Sequence, residues 1–330
     1  MTTLPSSALP RFGPTWVAWR QHRFALGASA LMLAVLAAGL ILGGLAVRHD
    51  YDQRGLNKCT SFALGSRCDQ LGMDFSNHYG TLNLLLIFLL MLPAAIGAFV
   101  GGPLVARELE TGTFRFAWTQ GAGRTRWLVT KLAVLAVGLA VVSAAFSPAY
   151  KFWNVPFDRV LPDSFGAYLP FEFSGLAFPS QTVLGFAAGV FMGVLARRVL
   201  IGIAGSFIIT FGLSMLAVFV LRPHYMPART TLGRIGHRDW GVDTSYVTPS
   251  GGAVSSAESH RLFVRFQADT LNRPNARFRD WMTAHDYRIV THYQPAGRFW
   301  TFQLIEAGWM LALAAVLVAA TVWMVRNRTT

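Results

Sequence analysis

Arg107, Glu108 and Glu110 stand just ahead of Gly112 and Thr113, and Arg115, Arg124 and Arg126 follow, all within the run ARELETGTFRFAWTQGAGRTRWLVTK. Nothing in that run sets a nucleophile beside a base. What such side chains do well is make charge-assisted contacts to another macromolecule. The rest of the chain offers no catalytic or cofactor constellation either. The lysines are Lys58, Lys131 and Lys151, and none follows a glycine, so there is no phosphate loop of the G-x-x-x-x-G-K-[ST] kind. G-x-S-x-G, H-E-x-x-H and paired acids within an apolar run are also missing. His224, His237, His260, His285 and His292 are scattered without ligand spacing, so no metal site is expected. Gln303 and Glu306 fall one turn apart in an apolar stretch. An acid inside a bilayer usually faces a cavity or a partner. Two readings of Glu306 are open: it lines a translocation path, or it is a neutral or water-satisfied group near the interface.

The elements that must position these groups are membrane spans. The chain has 330 residues, a mean hydropathy of +0.41, 53% hydrophobic and only 14% charged residues. That is too apolar for an ordinary soluble domain of this length. A spanning helix needs about 20 apolar residues. Segments 24–47, 80–106, 173–196 and 199–221 meet this cleanly, and 127–148 and 299–325 complete a set of six despite Lys131 and Glu306. Short loops rich in Lys and Arg stay in the cytoplasm. With the N-terminus inside, the inner pieces carry twelve basic residues and the two short outer loops carry six. Both termini are therefore expected inside. Segment 222–298 is long enough to be exempt from that rule; its eleven arginines against six acids leave +5. The formal charge of +13 then follows from topology, and nucleic acid is not an expected partner. Cys59 and Cys68 both fall in the first outer loop, where a close pair reads as a disulfide worth about 2–3 kcal/mol in the chain-entropy view.

Several local features organise the bundle. Residues 15–24, TWVAWRQHRF, put Trp16, Trp19, Arg20 and Arg23 at helical spacing, which suits an interfacial helix or, equally, an aromatic belt with snorkelling arginines. Gly39 and Gly43, Gly97 and Gly101, and Gly185, Gly189 and Gly193 form small-residue ridges for close helix approach. Pro93 is expected to kink the second span. Arg197 and Arg198 leave room only for a tight inner hairpin. In the outer segment, RLFVRF (261–266) and YRIVTHYQ (287–294) read as strands and ARFRDWMTAHD (276–286) as a helix, giving a small α+β unit. In the inner loop, Gly112 ends a helix, Thr113 caps a short one reaching about Trp118, and Gly121 to Gly123 break it.

That inner loop resembles the ABC-2-type exporter permeases, whose loop after the second span carries an Arg-Glu-x-Glu-x-Gly-Thr run, then a basic residue and a Lys near the start of the third span. Arg107, Glu108, Glu110, Gly112, Thr113, Arg124 and Lys131 match it, and six spans with an amphipathic leading helix extend the likeness. The resemblance implies an all-α six-helix permease, not itself an enzyme, dimeric and more readily a homodimer, set in a bacterial inner (plasma) membrane. The Arg-to-Lys ratio of 26 to 3 fits a GC-rich bacterial genome. It further implies a separate cytoplasmic ATPase subunit, holding ATP and magnesium, that docks on Arg107, Glu108, Glu110, Gly112, Thr113, Arg115, Arg124 and Arg126. This chain itself binds no cofactor. The expected organisation is 1–23 tail and interfacial helix, 24–221 spans one to five with the coupling loop at 106–127, 222–298 outer domain, 299–325 last span, and 326–330 inner tail. The long 222–298 insertion departs from the family's short outer connection, so a borrowed substrate does not follow beyond something hydrophobic or amphipathic. A sensor or immunity protein, binding a ligand through its outer domain without transport, would share this topology.

Overall fold

The computed structural model describes residues 14–60, 62, 66–110, 124–160, 166–232, 235–236, 238–271 and 278–328. Helix α1 (Pro14–Gln53) runs unbroken, so Trp16 and Arg20 of the interfacial stretch are its first turns, both exposed. A short 3-10 turn (Leu56–Lys58) leads to Cys59, which is bonded to Cys68 in α2 (Arg67–His78). The Ser66 hydroxyl caps α2 by accepting from the Asp69 amide. The second span joins α3 (Gly80–Leu86), a 3-10 stretch (Ile87–Met91) and α4 (Leu92–Glu110). The expected kink is thus a change of helix type just before Pro93, whose missing N–H leaves an α-type bond unmade there.

Helix α5 (Arg124–Val160) continues well past 148, where its end was expected, and takes both Pro148 and Pro156 into its interior. Each proline removes one hydrogen bond. Packing holds the extension: the Trp153 ring meets Gly43 of α1, and Phe157 lies 5.3 Å from Phe75 of α2. Next come α6 (Tyr168–Phe173), α7 (Ala177–Ala196) and α8 (Val199–Leu216), the last prolonged by a π turn (Ala217–Leu221) and a 3-10 turn (Arg222–His224). The expected start of the fourth span at 173 therefore shifts to Ala177, because Ser174 and Gly175 break the chain after α6. Arg197, at φ 55°, is the left-handed residue that closes the α7–α8 hairpin.

Beyond the spans lie β1 (Arg229–Thr231), β2 (Trp240–Val247), α9 (Ser256–Asp269), α10 (Phe278–Ala284) and β3 (Arg288–Gln294), followed by α11 (Phe299–Arg328). The strands form an antiparallel sheet in the order β1-β3-β2, with a bulge between Gly241 and Asp243. Strand Arg288–Gln294 and helix Phe278–Ala284 fall inside the stretches expected for them, 287–294 and 276–286, but RLFVRF is helical. Ser255 accepts from the Glu258 amide and starts a helix, and Leu262 and Phe266, four apart, share one face; cap and helical period prevail over a run that alternates too briefly. Phe263, Phe266, Phe278 and Trp281 pack α9 against α10.

Six helical segments are long and apolar enough to cross a membrane: Arg23–Gln53, Gly80–Glu110, Thr125–Val160, Ala177–Ala196, Val199–His224 and Ala296–Asn327. α7 is the central one, 78% of its most apolar window being buried, against 44% or less in the others. It can sit there because its glycines let neighbours approach to backbone contact. A Cβ on Gly97 would overlap the Gly185 carbonyl carbon, and one on Gly101 the Phe186 oxygen. A Cβ on Gly193 would lie 2.7 Å from the Gly102 oxygen, and one on Gly202 of α8 3.0 Å from the Gly193 Cα. Helices α4, α7 and α8 thus meet backbone to backbone, where dispersion contacts are densest.

Candidate functional site

Two polar clusters stand out in this apolar bundle, one at each end. At the end where α4 meets the starts of α5 and α8, the last turn of α4 carries Glu108 and Glu110. The Lys131 ammonium, on the second turn of α5, donates to Glu108 Oε1 at 2.9 Å and to the Leu104 carbonyl at 3.2 Å, and lies 4.6 Å from the Trp127 ring centroid. Lys131 is 0% exposed, so a carboxylate, a carbonyl and an aromatic face together replace its water. Glu110 Oε1 accepts the Val199 amide at 2.9 Å, at the first turn of α8, where an anion also suits the helix dipole. Both acids expected to face another chain are therefore bonded within this one. They fasten the end of α4 to the starts of α5 and α8.

Arg107 and Arg126 are exposed. Arg124 opens α5, and Gly112, Thr113 and Arg115, with the short helix expected after them, lie outside the described residues. Lys131 was legible as a family position but not as the partner of Glu108, because the pairing spans a loop.

At the opposite end, the last span brings Gln303 and Glu306 to the roots of α6, α7 and α8. Neither opens on water; both are 0% exposed. The Gln303 amide oxygen accepts from the Leu176 and Ala177 amides at 2.8 and 2.9 Å, and its nitrogen donates to the Phe171 carbonyl at 2.6 Å. One side chain thus caps α7 and holds α6. Glu306 accepts two bonds from the Arg222 guanidinium, at 2.7 and 3.0 Å, and one from the Tyr225 hydroxyl at 3.2 Å. Arg222 is itself 2% exposed and stacks 3.7 Å from the Phe171 ring centroid. Trp309 donates to the Tyr225 oxygen. The interfacial reading of Glu306, as a neutral or water-satisfied group, gives way to a fork of charge-assisted bonds.

Sequence reasoning missed several members of this cluster, Arg222 and Glu172 foremost, with Tyr225 and Gln181 beside them. Arg222 stood at the border of the outer segment and was counted with it. Glu172, inside YLPFEF on α6, lies outside the six spans yet is buried beside them. Gln181 of α7 donates to its Oε2 at 2.9 Å, while Oε1 has no hydrogen-bond partner. Burial foremost, then the neighbouring Glu306 charge, push the Glu172 carboxyl up to about 8, against the pull of Arg222 and Gln181. Burial also raises the Tyr225 hydroxyl, so it stays a donor to Glu306.

Among the described residues no cluster of His, Cys, Asp or Glu has the makings of a metal site. No curated protein and no solved structure matches the chain. A family model does match, that of the ABC-2 membrane transporter related proteins, over residues 30–222. Those residues take in most of the first span, spans two to four, all but the end of the fifth, the glycine contacts at the centre of the bundle and the charged loop between spans two and three. The match takes in more than half of the protein, and with its six membrane-spanning helices the chain belongs to the ABC-2 membrane transporter related family as a transporter permease.

Proposed function

We propose that this permease is the membrane half of an ATP-driven exporter for a hydrophobic or amphipathic compound. A separate cytoplasmic ATPase, carrying ATP and magnesium, docks on the inner loop at 106–127, and two permease copies form the path in a bacterial inner membrane with both termini inside. The observation that supports this most is the joint at the inner end. Lys131 on Glu108 and the Val199 amide on Glu110 tie the end of α4 to α5 and α8. Docking falls to the loop beyond Glu110 and to exposed Arg107 and Arg126. A push on that loop then reaches three spans at once through short polar links.

The test separates docking from transmission. Residues 111–123 are replaced by a Gly-Ser stretch of equal length, and the chain is co-expressed with its ATP-binding partner. Membrane insertion is expected to persist while co-purification is lost; undiminished co-purification overturns the docking assignment. Lys131→Met is expected to retain the partner and its hydrolysis of ATP but to lose ATP-driven accumulation of substrate inside inverted vesicles, which is the export direction. Export at the wild-type rate by that variant would reject the joint as the transmitter.

A further inference from the structure

The outer polar cluster holds two buried carboxyl groups and one guanidinium. Arg222 is committed to Glu306, gripping both of its oxygens. Glu172 receives a single neutral bond from Gln181 and keeps Oε1 unpartnered while 2% exposed. An ionised carboxylate in that setting would carry an uncompensated charge out of water, and desolvation of that kind is relieved by taking up a proton. We propose that Glu172 is a proton-binding site, occupied in this conformation, and that its proton keeps the outer roots of α6, α7 and α11 clamped together.

Among the described residues around Glu172, no other group neutralises it. From α7 comes Gln181, and from α11 Glu306, which adds like charge. From the 222–225 turn come Arg222, already engaged, and Tyr225, turned onto Glu306. α5 brings Tyr150, whose ring lies 5.2 Å from that of Phe173, and the Ile87–Met91 stretch brings only apolar side chains. With the proton in place the cluster is neutral: Arg222 and Glu306 cancel, and Glu172 is an acid. Losing the proton to outer water leaves one net negative charge beside Glu306. Repulsion between the two carboxylates then acts on α6 against α11, the pair that Gln303 otherwise holds together.

The sign of the effect on stability is set by the direction of the shift. A carboxyl raised from 4.5 to about 8 favours folding fully below 4.5, and its contribution is lost as pH rises through about 8. This inference concerns the permease chain alone and stands or falls independently of any ATPase.

The full-length protein in lipid nanodiscs is titrated from acid to alkaline pH, following the infrared carbonyl stretch of protonated carboxyl groups and the thermal unfolding midpoint. The wild type is expected to show a protonated-acid band at neutral pH that disappears as pH passes about 8, with the midpoint falling as pH climbs from 4.5 and levelling off above about 8. Glu172→Gln is expected to lack the band and to lose the fall in midpoint, since an amide carries no proton equilibrium. Gln181→Leu, which keeps the acid but removes its donor, is expected to keep the band at a shifted frequency; this assigns the band if Glu172→Gln does not fold. A wild type without the band at neutral pH, a band untouched by both variants, or a midpoint that follows sodium concentration at constant pH overturns the proposal.

Discussion

Arg222 and Glu306 are 84 positions apart in the chain and almost completely out of water, and each is tolerable there only because of the other. Removing one partner of a buried pair costs about 3–5 kcal/mol, whereas replacing both with apolar groups of similar size is often neutral. Arg222→Leu is therefore expected to lower the thermal midpoint sharply, and the double change Arg222→Leu with Glu306→Leu to recover most of it; a double variant as unstable as the single one would refute the pairing. Glu306 was conspicuous in the sequence because an acid interrupts an apolar run. Its partner was not, since an arginine at the end of a span looks like any interfacial arginine until the fold brings the two together. Glu172 was less visible still, because a six-residue helix outside the spans has no periodicity that marks an inward face.

At the level of elements, the spans were readable because hydropathy is summed over twenty residues, while their ends depend on packing that no window records. α5 outruns its expected end since Trp153 and Phe157 have aromatic and glycine partners waiting on α1 and α2. The helix formed by RLFVRF shows the opposite case, a local cap at Ser255 overriding alternation. Glycine spacing was the most faithful signal for helix contacts, yet it did not discriminate among glycines. Gly97 and Gly101 face the backbone of α7 at distances that leave no room for a methyl group, whereas Gly39 has nothing within 4 Å. Overpacking typically costs about 1–3 kcal/mol, and more where backbone must move. Gly101→Val is expected to collapse the monodisperse chromatographic peak of the detergent-solubilised protein, and Gly39→Ala to leave it unchanged. Equal profiles for the two variants would show that α4 and α7 do not meet as described.

For the molecule as a whole, the two polar clusters lie at opposite ends of one bundle, and which end faces the cytoplasm decides what each is for. The bonded Cys59 and Cys68 sit in the first loop, on the same side as the 222–298 domain by the count of spans between them. A disulfide is stable in an oxidising compartment, and short basic loops are retained in the cytoplasm. Both considerations support the proposed orientation, in which the Glu108–Lys131 joint lies inside, within reach of a cytoplasmic motor, and the Glu172 cluster outside, within reach of external pH. Because both native cysteines are bonded, a single introduced cysteine reports its own side without further engineering. Ser250, exposed at a turn of the outer domain, and Arg126, exposed at the start of α5, are suitable positions. In intact cells a membrane-impermeant maleimide is expected to label Ser250→Cys and to spare Arg126→Cys, which reacts only after permeabilisation. The reverse pattern would turn the bundle over, leave the loop at 106–127 beyond the reach of any ATPase, and remove the mechanical basis for export.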